Sequence, residues 1–161
     1  MSTTLLRRAA AGCIVFVALA LGAAPGRCQP PKPDPAIDPL ETRVKAFLEG
    51  ISAGETTSAY NTLLRGSQLA KQTDAVKTLM DKTNELKSKY GEFRKFERIA
   101  ARRVGDDLVM FKYLYKCEDF PVVWYFTFYR TPSRSDVALT DSSAWRVIIV
   151  RLDTDLESLA W

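Results

Sequence analysis

The hydrophobic period of this chain changes once, at Gly91. Before it, apolar residues recur at helical spacing; after it, they alternate. Asp38-Pro39-Leu40-Glu41 reads as a helix start, with Asp38 as the cap and Pro39 in the first turn. Leu40, Val44, Phe47, Leu48 and Ile51 then share one face, and Gly54 ends the helix. A shorter helix follows in TTSAYNTLLRG, capped by Thr56 or Thr57, with Tyr60, Leu63 and Leu64 inward. A third begins at Thr73 or Asp74 and turns Val76, Leu79, Met80, Thr83, Leu86 and Tyr90 to one side, up to Gly91. Beyond Glu92 the alternating segments EFRKFERIAARRV, LVMFKYLYKC, VVWYFTFYR and AWRVIIVRLDTD read as strands. Short links between them imply an antiparallel meander with one dry face. The expected fold class is α+β: three N-terminal helices packed on a curved four-stranded antiparallel sheet.

Strand parity divides the aromatic residues. Val122, Trp124, Phe126 and Phe128 share the greasier face and are assigned inward, together with Val109, Phe111, Tyr113, Tyr115 and Cys117 of the preceding strand. Val123, Tyr125, Thr127 and Tyr129 face outward, as do Lys112 and Lys116. Phe111, Tyr113, Trp124, Phe126 and Phe128 are thus candidate walls of a ligand cavity, although aromatics on a buried sheet face commonly just pack. Tyr125 and Tyr129 are candidate partner contacts on the exposed face.

The opening segment MSTTLLRRAAAGCIVFVALALGAAPGRCQPP has the layout of a secretory signal: Arg7 and Arg8, an apolar run to Ala24, then small residues. The expected organisation is a signal peptide over 1–28, cleaved at about 22–28, a proline-rich spacer over 29–38, and a folded domain over 39–161. Such a chain is secreted, to the periplasm. The apolar run is shorter than the about 20 residues of a spanning helix, so no stable membrane insertion is expected after cleavage. The formal charge of +4 falls to +1 without the leader, which holds three arginines and no acid. Cys13 leaves with the leader, and a Cys28–Cys117 disulfide requires that cleavage precede Cys28.

The chain has no histidine. That closes Ser-His-Asp and Cys-His catalysis and histidine metal sites. There is no phosphate-cradling glycine loop, paired CxxC or carboxylate-rich metal loop, and no cofactor or metal is expected. An acid–base pair would have to come from Tyr113 or Tyr115 with Asp153 at the end of the last strand. Residues 71–103 carry ten basic against five acidic side chains, but most lie off the apolar stripe of the third helix and read as a solvated face. No nucleic-acid partner is expected.

The order of helices then strands, with AGETTSAYNTLL, KYGEFRKFERI and VVWYFTFYR…AWRVIIVRLDTDLESL, resembles the nuclear-transport-factor-2-like (cystatin-like) superfamily. It is similar in particular to small secreted bacterial members of unknown function, over roughly residues 38 to 160. The resemblance implies a cone-shaped fold with a cavity between helices and sheet, and homodimers paired through the sheet. Superfamily members include isomerases, dehydratases and non-catalytic modules, so membership does not decide activity. The expected function is a secreted, non-catalytic domain that binds a small apolar ligand or a protein partner, through an apolar cavity or the exposed sheet face. The alternatives are a histidine-free lyase or isomerase acting on a hydrophobic small molecule, and a structural envelope protein without a pocket.

Overall fold

Asp34 starts the ordered helical region: its side chain accepts from the Ala36 N–H (3.0 Å) and its carbonyl from Ile37 (3.0 Å). The computed structural model describes residues 34–131 and 141–160, so the expected signal peptide and the first half of the expected spacer lie outside the described residues. Helix α1 (Ile37–Ser52) follows, beginning two residues earlier than the Asp38 cap implied. Asp38 instead sits in the first turn, where a carboxylate faces the positive end of the helix dipole. The predicted stripe of Leu40, Val44, Phe47, Leu48 and Ile51 is buried. Helix α2 (Thr56–Leu63) packs close against it: a Cβ on Gly50 would come within 3.0 Å of the Ala59 Cβ.

The segment read as one long helix is two, α3 (Thr73–Asn84) and α4 (Leu86–Tyr90), separated at Glu85. Just before the break the Thr83 hydroxyl donates to the Leu79 carbonyl (2.7 Å) and accepts from the buried Tyr60 hydroxyl (2.9 Å), tying the end of α3 to α2. Of the expected stripe only Thr83 and Leu86 are buried; Val76, Leu79, Met80 and Tyr90 are half-buried. Gly91 ends α4 at φ 83°, in the left-handed region that favours glycine.

The sheet comprises β1 (Phe93–Val104), β2 (Leu108–Cys117), β3 (Pro121–Arg130) and β4 (Trp145–Asp153), antiparallel and in chain order. Irregular steps occur in β1 near Arg94 and Ile99, and between Thr127 and Phe128 where β3 meets β4. The fold class is α+β, with the described helices preceding the sheet.

Alternation assigns the faces correctly. Val109, Phe111, Tyr113, Tyr115 and Cys117 are buried, as are Val122, Trp124, Phe126 and Phe128. Val147 and Val150 join them from β4. Phe47 of α1 meets this face edge-on, its ring centroid 5.0 Å from Tyr60, 5.4 Å from Trp124 and 5.5 Å from Phe126. Arg43, one turn earlier, donates to the carbonyls of Trp145 (3.0 Å) and Leu63 (3.3 Å), tying α1 to β4 and α2. At the same Trp145, Arg130 lies over the indole ring and binds the Asp107 carboxylate at 2.8 Å. Among the described residues no helix is long and apolar enough to cross a membrane.

Candidate functional site

The inner face of β2 runs from Phe111 to Cys117, and its two ends meet different surroundings. Phe111 and Tyr113 lie under α1 with Trp124, Phe126 and Phe128, all at most 2% exposed. Their rings touch one another: Trp124 stacks on Phe126 at 5.9 Å, and Phe111 meets Phe128 edge-on at 5.9 Å. The structure therefore brings the five expected wall residues together as packed rings. None of them lines the cavity described next.

That cavity opens further along the same face, where α1 ends at Ser52 and the α3–α4 break draws the helices aside. It measures about 270 Å³ and is bounded by Ile51, Thr56, Thr83, Leu86, Phe93, Tyr115 and Cys117, among others. Tyr115 is 3% exposed, stacks obliquely on Phe93 at 4.6 Å, and takes no hydrogen bond to a described residue. Its hydroxyl is nonetheless not among the fully enclosed orphan atoms, which are Arg103 Nε, Trp124 Nε1 and Trp145 Nε1. Tyr115 is itself one of the residues lining the cavity. Burial, with the nearby Cys117 second, raises the Tyr115 phenol well above its ordinary range, so it stays neutral and available as a donor.

Cys117 is a buried free thiol. Burial, then the charge of Asp119, raises its pKa, the opposite of what a nucleophilic thiolate needs. Lys116 does not help it, since it points to the other side of the strand. Cys28 lies outside the described residues. At the rim, Lys87 and Glu92 pair at 2.6 Å, both largely exposed.

Glu41 forms a second polar cluster that sequence reasoning missed. It sits beside the apolar stripe of α1 and is only 9% exposed. Its carboxylate accepts from Lys45 (2.9 Å) and the Tyr113 hydroxyl (3.2 Å), and pairs with Arg98 of β1. Burial pushes the carboxyl upward, but the hydrogen bond from Lys45 and the charges of Arg98 and Lys45 outweigh it. The net shift is below the usual carboxylate value. The Tyr113 phenol is pushed up, by burial first and then by the Glu41 charge. An ionised carboxylate saturated by two cations is a weak base, and a phenol held neutral beside it is a weak acid. The cluster locks α1 to β1 and β2. The signal that could have revealed it is an i,i+4 Glu41–Lys45 pair at the margin of an apolar stripe.

Tyr113 and Tyr115 face inward, whereas Asp153 pairs with Val123 on the outer side. The sheet lies between them, so no acid–base pair forms; Asp153 meets Arg151 at 3.8 Å instead. Tyr125 and Tyr129 are half-exposed on the outer face, and Tyr125 lies between Arg151 (4.2 Å to the ring centroid) and Lys112 (5.5 Å). Val123 and Thr127 also face outward from this central strand, yet both are buried. Among the described residues no group of three or more His, Cys, Asp or Glu side chains is placed to hold a metal ion. No family model matches the chain, and neither does any curated protein or solved structure compared with it.

Proposed function

We propose that this chain is an exported, non-catalytic binding domain of the nuclear-transport-factor-2-like architecture, with helices α1 to α4 packed on one face of the antiparallel sheet. Its ligand is a small molecule, mostly apolar with one hydrogen-bonding oxygen, held in the cavity at the Cys117 end of the inner sheet face. The observation that carries this reading is the cavity of about 270 Å³ lined by Tyr115, whose hydroxyl takes no hydrogen bond to a described residue. A ligand oxygen in reach of that hydroxyl would add a hydrogen bond worth about 1 kcal/mol. The Ile51, Leu86 and Phe93 walls supply the apolar contact. A lyase or isomerase reading is less well supported, because the Glu41 carboxylate that reaches a tyrosine does so inside the core, already paired with two cations.

Native mass spectrometry of the protein from its own cell envelope tests the reading. The expected result is a retained small molecule in the wild type. Tyr115→Phe should weaken retention about fivefold to tenfold, the value of one hydrogen bond. An empty cavity in the wild type, or retention unchanged by Tyr115→Phe, would overturn it.

A further inference from the structure

The cavity at the Cys117 end of the sheet is bordered by hydroxyl groups of two kinds, engaged and unengaged. Four hydroxyl-bearing residues line it: Ser52, Thr56, Thr83 and Tyr115. Ser52 donates to the Glu49 carbonyl one turn back (2.7 Å). Thr83 is used twice, toward the Leu79 carbonyl (2.7 Å) and the Tyr60 hydroxyl (2.9 Å). Thr56 and Tyr115 are different. Neither hydroxyl takes a hydrogen bond to a described residue, although the two side chains are buried. They also come from different layers, Tyr115 from β2 of the sheet and Thr56 from the first residue of α2.

The same lining offers no free counter-charge. Its charged members are Lys87 and Glu92, and they pair with each other at 2.6 Å. The Tyr115 phenol and the Cys117 thiol are both pushed up, by burial first, so both stay neutral. Asp119, outside the lining, raises Cys117 further and disfavours an anion beside it. An ion entering here would give up its hydration with nothing of opposite sign to replace it. Size limits the occupant as well. The volume of about 270 Å³ lies below the about 300–1,000 Å³ of sites for drug-sized molecules, which leaves room for one ring or a short chain.

We propose that the occupant is an uncharged molecule with a hydroxyl, carbonyl or amide group at each of two ends, one bonded to Tyr115 and the other to Thr56. This rests on the cavity reading above and adds to it a second polar contact and the exclusion of ions. A hydroxyl both donates and accepts, so either sense of hydrogen bond serves at each end. Ile51, Leu86 and Phe93 take the apolar part between the ends. A molecule with a single polar end leaves one of the two protein hydroxyls unpaired, and a carboxylate or an ammonium group strands its charge.

Titration of the full chain with single-ring probes, read by ligand-observed nuclear magnetic resonance at neutral pH, tests the proposal. The probes are para-hydroxybenzyl alcohol, para-xylene, para-hydroxybenzoate and para-hydroxybenzylamine. The alcohol should bind on the order of twenty-fivefold more tightly than para-xylene, about fivefold for each hydrogen bond. Thr56→Val and Tyr115→Phe should each weaken the alcohol about fivefold. Both should leave para-xylene unchanged, which also reports that the variants keep their fold. The benzoate and the benzylamine should bind about tenfold more weakly than the alcohol, or worse. Three results would each overturn the proposal while para-xylene binding left the cavity reading standing: equal affinity for the alcohol and para-xylene; an alcohol affinity unmoved by Thr56→Val; or a charged probe held as tightly as the alcohol. Binding of none of the probes would overturn both.

Discussion

Glu41 shows how one side chain couples elements far apart in the chain. Its carboxylate serves Lys45 on its own helix, Arg98 on β1 and Tyr113 on β2. The two cations are about half exposed and regain water if the carboxylate is lost. Tyr113, 1% exposed, does not. Glu41→Ala should therefore cost about 1–3 kcal/mol, mostly from stranding the phenol, as read by urea unfolding. The pH dependence has a definite sign. Because the folded-state pKa lies below the ordinary glutamate value, the unfolded chain takes up the proton first. The contribution is complete above that value and is lost as pH falls through the folded-state pKa. Glu41→Gln should flatten this part of the acid limb. Glu97, held down to about 2 by hydrogen bonds from Lys116 and Lys95, titrates lower still, but it lies among exposed side chains where salt screens the effect.

At the scale of elements, the joints carry the specificity. Gly91 stands at φ 83°, and an added Cβ would meet Asp119 Oδ2 and the Glu118 Cβ at 3.0 Å. Gly91→Ala should destabilise the fold by about 1–2 kcal/mol, seen as a lower denaturation midpoint with an unchanged slope. The Thr83 hydroxyl ties α3 to Tyr60 of α2, so Thr83→Ser, which keeps the hydroxyl, should be nearly neutral. Thr83→Val should cost about 1–3 kcal/mol, because it removes the acceptor of the buried Tyr60 hydroxyl. The edge strand β1 is dense in charge, with Arg94, Lys95, Arg98, Arg102 and Arg103, and it is irregular at two places. Both features discourage pairing with a stray strand.

At the scale of the whole molecule, one ring joins the layers. Phe47 touches Tyr60 of α2 and both Trp124 and Phe126 of β3. Phe47→Ala should cost about 3–5 kcal/mol, a large share of the about 5–15 kcal/mol that holds a domain of this size together. Loss of near-ultraviolet circular dichroism at a markedly lower urea concentration would register it.

Alternation and helical spacing sufficed to order the helices before the sheet and to put Phe111, Tyr113, Trp124, Phe126 and Phe128 inside, since they record which side of each element avoids water. The turns were legible for the same local reason: Gly91 and the links after β1 and β2 carry residues suited to their backbone. Which end of the inner face stays open was not legible. Tyr115 and Cys117 have the same parity as Phe111 and Tyr113, and only the end of α1 and the break at Glu85 leave them facing a cavity. Nor could Glu41 be matched with Arg98 and Tyr113. Those pairings join residues up to seventy-two positions apart, and they exist only once α1 is docked and strand register is set.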